Sequence, residues 1–172
     1  MGKLDVYNEN KEKTGKIVER KVNQKFADNE YYLYVQCWII NRKGEILLTQ
    51  RNSKKLHGGY WEPTGGCVLA GETSDDAVIR ELKEELGLSI NKENLKHIKT
   101  LKQNRKERNC FREIYLLEKN IKLNDIKYSD GEVVDAKFVT LQEMEKLLKE
   151  NKMVSWLEFF IKEYKKYIEK EN

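Results

Sequence analysis

The sequence has one proline, two histidines, three cysteines and no uncharged run approaching the roughly 20 residues that a membrane-spanning helix needs. The last absence argues against membrane insertion. The first residues, MGKLDVYNENKEKTGK, also lack the apolar core of a signal peptide. Cys37, Cys67 and Cys110 have neither paired nor metal-binding spacing, and their odd number argues against a secreted disulfide framework. A reducing cytoplasm is the expected setting. His57 and His97 lie too far apart to suggest a site by their spacing. Charge of one sign is missing too. The 33 basic and 29 acidic residues leave a formal charge of +4 spread over the whole length, which is weak support for nucleic-acid binding. RNA is therefore not an expected partner, whereas phosphate-rich small molecules suit such a surface. There is no internal repeat and no low-complexity linker.

What is present fits a single domain over residues 1–172, with a core at about 31–150, a polar lead-in over 1–30 and a C-terminal helix at about 152–169. In the lead-in, Thr14-Gly15-Lys16 reads as a turn, and the segment is expected to cover the sheet. YYLYVQCWII at residues 31–40 is a buried strand, with EILLTQR at 45–51 as its hairpin partner. Residues 52–63, with paired glycines and the sole proline, read as an exposed loop of the kind that carries recognition residues. Short strands are expected at 64–69, 95–101, 110–117 and 133–139, and a helix at 141–149. Val154, Leu157, Phe160, Ile161, Tyr164 and Ile168 recur at three- and four-residue steps and predict an amphipathic terminal helix. These elements make an α+β domain, or a three-layer α/β/α one.

The most informative stretch is GCVLAGETSDDAVIRELKEELGL, residues 66–88. Thr73 is placed to cap a helix, with Asp76 three residues on in the reciprocal position of a capping box. Gly87 followed by Leu88 ends the helix as a C-terminal glycine cap does. Val78, Ile79, Leu82 and Leu86 form one face for packing. Glu81, Glu84 and Glu85 project from another, with Arg80 beside them. Like charges so close repel, so a positive group is expected among them, and a divalent metal would serve. Taken alone, ELKEEL reads as a solvated helix face.

The complete pattern changes that balance. Gly66, Glu72, Arg80, Glu81, Leu82, Glu84, Glu85, Gly87 and Leu88 occupy every fixed place of the Nudix hydrolase box, which this chain closely resembles. The resemblance implies the Nudix fold, an α/β/α sandwich with a mixed central sheet. It also implies hydrolysis of a nucleoside diphosphate linked to another moiety, with Mg²⁺ or Mn²⁺ as cofactor. By the same resemblance Glu81, Glu84 and Glu85 are metal ligands, joined by the carbonyl of Gly66, while Glu72 and Arg80 form a structural ion pair. In the family the general base is a glutamate whose position varies, so it falls either within the box, among the catalytic candidates Glu81, Glu84 and Glu85, or on a later loop or strand. Outside the box the candidates are Glu132, on the turn before the strand at 133–139, and Glu113. Glu132 is placed ahead because a loop can reach over the metal. Chemically, bound metals can neutralise phosphate oxygens, lower the pKa of the attacking water and stabilise the leaving phosphate.

The run from Thr14-Gly15-Lys16 and Arg20 to the strand at 31–40, followed by NRKGEILLTQR, also resembles Nudix proteins close to isopentenyl-diphosphate isomerase. That isomerase's cysteine falls at Gly65 and its histidine at Cys67, so neither is retained, and Gln36 stands where relatives often carry histidine. Hydrolysis is therefore the reading, with a diphosphate isomerase or a non-catalytic nucleotide-binding module as alternatives. For substrate binding the candidates are Arg51 as a phosphate contact, His57 as a pocket residue, and Tyr60 and Trp61 as surfaces for a base. Trp61 could equally plug the end of the core. Cys37, Cys67 and Cys110 read as core residues. Arg105, Lys106 and Arg108 read as a plain surface hairpin. The expected partner is a small diphosphate compound of nucleotide type, and a homodimer contact through the terminal helix is open.

Overall fold

The computed structural model describes residues 2–21, 26–104, 109–129, 131–153 and 157–171. Among them are nine strands and three α-helices. In chain order they are β1 Lys3–Tyr7, β2 Lys13–Glu19, β3 Tyr31–Ile40, β4 Ile46–Arg51, β5 Trp61–Glu62, β6 Gly65–Cys67, α1 Ser74–Leu86, β7 Lys96–Gln103, β8 Asn109–Glu118, β9 Val133–Val139, α2 Leu141–Lys149 and α3 Leu157–Glu171. Two compact units share these elements, with the boundaries falling inside β3 and α1. The first comprises Met1–Cys37, Gly65–Lys83 and Ser89–Leu117, and the second Trp38–Thr64, Glu84–Leu88 and Glu118–Asn172.

In the first unit β3 is the long apolar strand on which the others assemble. β1 pairs with it at Tyr7↔Tyr31 and β6 at Val35↔Gly66, and β8 lies along it with β7 outside. The lead-in departs from the sequence expectation. It forms the antiparallel pair β1–β2 and extends the sheet rather than covering it, with Leu4 opposite Val18. The reversal lies at residues 8–12, where the Asn8 side-chain oxygen accepts from the backbone of Asn10 and Glu12. Thr14-Gly15-Lys16 sits inside β2. Between Asp5 and Tyr7 the register shifts, and Gly15 takes a φ of 82°, so the glycine marks a bulge rather than a turn. Leu4, Tyr32, Cys67 and Cys110 cluster beneath this sheet, with Phe26 stacked on Tyr32 at 5.4 Å. All three cysteines are buried, as their apolar neighbours suggest, and burial pushes the Cys37 thiol pKa well up.

In the second unit β4 pairs with the end of β3 at Ile40↔Ile46, and with β9 from Ile46↔Val139 to Arg51↔Val133. Part of the expected exposed loop at 52–63 is instead the short buried strand β5, with Glu62 opposite Thr49 and Trp61 opposite Gln50. α2 spans the residues its pattern predicts and starts on a capping box of Thr140 and Glu143. α3 begins at Leu157, and residue 154, where its pattern starts, lies outside the described residues, as do Arg105, Lys106 and Arg108. The Trp38 ring meets Phe160, Tyr164 and Tyr167 of α3 edge to face, at centroid separations of 5.1, 5.4 and 6.0 Å. Each such pair contributes about 0.5–1.5 kcal/mol beyond its area burial. No helix among the described residues is long and apolar enough to cross a membrane.

Candidate active site

α1 starts where its capping residues place it. Thr73 Oγ1 accepts from the Asp76 backbone at 3.2 Å, and the Asp76 carboxylate accepts from the Thr73 hydroxyl at 2.5 Å. It ends at Gly87, whose φ of 71° continues no helix. Ala77, Val78, Leu82 and Leu86 are fully buried. The carboxylates, expected together on one polar face, are divided by burial. Glu81 and Glu85, one turn apart, are 6% and 5% exposed, whereas Glu84 is exposed. Two carboxylates so deeply buried carry a heavy desolvation cost unless a positive group or several hydrogen bonds answer them.

For Glu81 part of the answer is Arg80. Its Nη1 donates to Glu81 Oε1 at 2.6 Å, its Nε and Nη2 donate to the two Glu72 oxygens at 2.8 and 3.0 Å, and Nη2 also reaches the Cys67 carbonyl at 3.0 Å. The planar guanidinium thus joins helix to preceding loop through a bidentate contact. Glu72 completes the link by accepting from the Leu69 backbone at 3.0 Å. Burial works against the charge on Arg80, but the hydrogen bonds and charges of Glu72 and Glu81 outweigh it and raise its pKa. Gly66 lies directly on the Glu81 carboxylate. A Cβ there would sit 2.0 Å from Oε1, 2.3 Å from Cδ and 2.8 Å from Oε2, so any larger residue would displace the Glu81 carboxylate.

At its C-terminal end, within the second unit, α1 is tied to the loop preceding β9. Ser129 Oγ donates to the Glu84 carbonyl at 2.7 Å, and the Lys127 backbone donates to the Leu86 carbonyl at 3.0 Å. Glu132 ends that loop. Its carboxylate pairs with Lys55 at 3.2 Å, and its carbonyl accepts from the Asn52 backbone at 2.7 Å. The attachment through Lys127 and Ser129 has no signature in the sequence, since a loop serine and lysine carry no spacing signal. The other base candidate, Glu113, is 5% exposed in the middle of β8, opposite Thr100, and is ion-paired with Lys11.

The substrate-binding candidates differ in how committed they already are. Arg51 donates to Glu62 Oε1 at 2.5 Å and to the Leu56 carbonyl at 2.9 Å, so its guanidinium braces the loop that leaves β4. Trp61 is buried, its backbone N–H is bound to the Lys152 carbonyl, and Lys137 Nζ stands 4.0 Å from the ring centroid. The ring therefore takes the plugging role more than that of an open stacking surface. Burial, together with repulsion from Lys152, lowers the Lys137 pKa. His57 is exposed with a φ of 57° and meets half-buried Tyr60 edge-on at 6.1 Å.

Among the described residues no three His, Cys, Asp or Glu side chains converge at metal-ligand spacing. The donor chemistry of α1 nevertheless fits a hard divalent cation. Glu81, Glu84 and Glu85 offer only carboxylate oxygens, and the cradle at Gly66 brings bare backbone against one of them.

The NUDIX domain family model matches residues 31–160. An uncharacterised Nudix hydrolase of Listeria monocytogenes is 33% identical over 163 residues, covering 94% of this chain and 92% of the relative. An isopentenyl-diphosphate Delta-isomerase of Escherichia coli is 41% identical, but over only 66 residues, 37% of this chain and 36% of the isomerase. Among solved structures, DR0079 of Deinococcus radiodurans superposes with a TM-score of 0.73 at 19% identity, covering 88% of this chain and 91% of its own, which is a likeness of fold. The chain belongs to the Nudix family, has that family's α+β fold, and is by that membership a pyrophosphohydrolase.

Proposed function

We propose that this protein hydrolyses a diphosphate linkage in a small nucleoside diphosphate linked to another group, with Mg²⁺ or Mn²⁺ held by Glu81, Glu84 and Glu85 of α1 and by the Gly66 carbonyl. The observation that carries this reading is the cradle itself. A buried carboxylate on α1 lies against a glycine so closely that a single methyl group there would displace it. Bound there, the cation supplies neutralisation of phosphate oxygens and activation of water.

The chain's own residues do the rest. Arg80 holds the Glu81 carboxylate in place and ties it through Glu72 to the loop, so that the carboxylate is oriented before substrate arrives. Of the two candidate bases outside the box, Glu132 suits proton removal better. It stands at the end of the loop fastened to the last turn of α1, and its carboxylate meets a partly exposed lysine. Glu113 is buried on a central strand against Lys11, a setting that suits structure.

The local likeness to the isomerase favours isomerisation only weakly. Cys67 packs among Leu4, Tyr32 and Cys110 as a core residue, and position 65 is glycine, with its would-be Cβ 2.3 Å from the Val35 carbonyl oxygen. The test is a screen of the purified protein with Mg²⁺ and with Mn²⁺ against nucleoside diphosphate compounds, with products identified by mass. Hydrolysis gives two phosphate-bearing products, or one of these and free phosphate. A product of unchanged mass would establish isomerisation, and binding without any product would establish a non-catalytic module.

A further inference from the structure

The second unit contains a cleft of about 590 Å³ that the proposed hydrolysis does not use. It is lined by the β3–β4 turn (Asn41, Arg42 and Gly44), by the segment after β8 (Glu118, Lys119 and Asn120) and by Tyr164 and Tyr167 of α3. Its volume lies within the range of small-molecule sites. Its lining reaches Gly44, two residues before β4. Glu132 and the loop fastened to Glu84 lie beyond the last residue, Arg51, since Asn52 bonds to Glu132. A six-residue strand separates the two places by about 17 Å at 3.3–3.4 Å per residue.

The cleft is built from fixed parts. The Arg42 backbone donates to the Asn120 side-chain oxygen at 3.0 Å, and the Lys119 backbone donates to the Ile40 carbonyl at 3.0 Å, so the two loops are clamped to each other. Tyr164 forms a buried wall. Its hydroxyl donates to the Gly44 carbonyl at 3.2 Å, and burial pushes its pKa up to about 12. Tyr167 is half-buried and held edge-on to Trp38 at 6.0 Å. Arg42 and Lys119 are exposed at the rim, and among the described residues neither has a carboxylate partner. The Asn120 oxygen is engaged by the backbone, which leaves its two amide hydrogens to donate. Glu118 adds an acceptor.

We propose that this cleft is a second binding site that takes a nucleoside monophosphate. Arg42, Lys119 and the Asn120 amide meet the phosphate, the Tyr167 ring meets the base, and Glu118 accepts from sugar hydroxyls or a base amine. Arg42 and Lys119, with no carboxylate partner among the described residues, line one cleft together with the Tyr167 ring, and a phosphate joined to an aromatic heterocycle satisfies both kinds of group at once. The site is independent of the box, so its occupancy does not require a divalent metal.

The test is titration of the full-length protein with AMP in the presence of EDTA, followed by backbone amide NMR, with adenosine and inorganic phosphate in parallel. EDTA removes the divalent cation through which a phosphate would be held at the helix carboxylates. Saturable shifts at Asn41, Arg42, Lys119 and Asn120 are expected with AMP, and weaker ones with either fragment. Arg42→Glu combined with Lys119→Glu should weaken AMP binding at least about tenfold, the loss expected from two charge-assisted contacts, while hydrolysis without added AMP stays unchanged. Both positions are exposed, so the fold is retained. The proposal is overturned if AMP leaves these amides unmoved at millimolar concentration, if the double variant binds as tightly, or if phosphate or adenosine alone binds as well as AMP.

Discussion

Gly66→Ala separates crowding from backbone strain more cleanly than any other substitution at this site. Gly66 is not among the residues with positive φ, so alanine meets no conformational penalty of its own. It meets the Glu81 carboxylate, with atoms 2.0–2.8 Å from the new Cβ, where that carboxylate is pinned by Arg80 at 2.6 Å. Relief requires Glu81 to leave its rotamer, at about 0.5–1.5 kcal/mol. It also requires the loss of a charge-assisted hydrogen bond, worth about 1.5–3 kcal/mol. The sum is about 2–4.5 kcal/mol, or a urea midpoint lower by roughly 1–2 M at a slope of about 2 kcal/mol/M. Glu81→Ala removes the obstacle, so the double variant Gly66→Ala, Glu81→Ala should be more stable than the two single losses added together, by about 1 kcal/mol or more. Urea unfolding of the four proteins measures this. Additivity within about 0.5 kcal/mol would refute the contact as the reason for glycine at this position.

Three further outcomes follow from other parts of the structure. Glu72→Gln weakens the hold on Arg80 without touching the helix carboxylates, and should lower activity by about 10–100-fold with little change in circular dichroism. Gly87→Ala places a side chain at φ 71° and 2.9 Å from Lys127 Cβ, and should cost about 1–2 kcal/mol in chemical denaturation. Asp75 accepts hydrogen bonds from Lys92 and then Tyr115, which hold its pKa below the ordinary carboxylate value. Its contribution to stability is present above pH ~3.9 and is lost as pH falls through the lowered folded value. The stability gap between the wild type and Asp75→Asn should therefore be widest near neutrality and close on acidification, as calorimetry across pH would show.

Much of the frame was legible because its signals are local. The aromatic and β-branched run of β3, the period of α2 and the two caps of α1 each specify an element within a few residues. The Arg80–Glu72 pair was legible only through the resemblance, since eight residues separate the partners across a loop and a helix cap. Other features depend on contacts distant in sequence. Gly15 reads as a turn locally, yet pairing with β1 makes it a bulge. Trp61 and Glu62 sit in a loop-like composition, but β4 supplies them with a partner strand. Burial of Glu81 and Glu85 but not Glu84 is equally invisible to helical spacing, because all three fall within little more than a turn and packing decides which are covered. Nothing in the sequence marks Ser129 as the residue that fastens the β9 loop to Glu84.

The central claim, that the α1 carboxylates drive water's attack on a diphosphate bond, is tested most directly by turnover in ¹⁸O-labelled water with Mg²⁺ or Mn²⁺, comparing the wild type with Glu85→Gln. One solvent oxygen is expected on a product phosphate. Glu85→Gln should lose activity on the order of 10²-fold or more, about 2.7 kcal/mol of barrier, with an unchanged fold. A product without solvent oxygen, or a Glu85→Gln rate equal to that of the wild type, would contradict it.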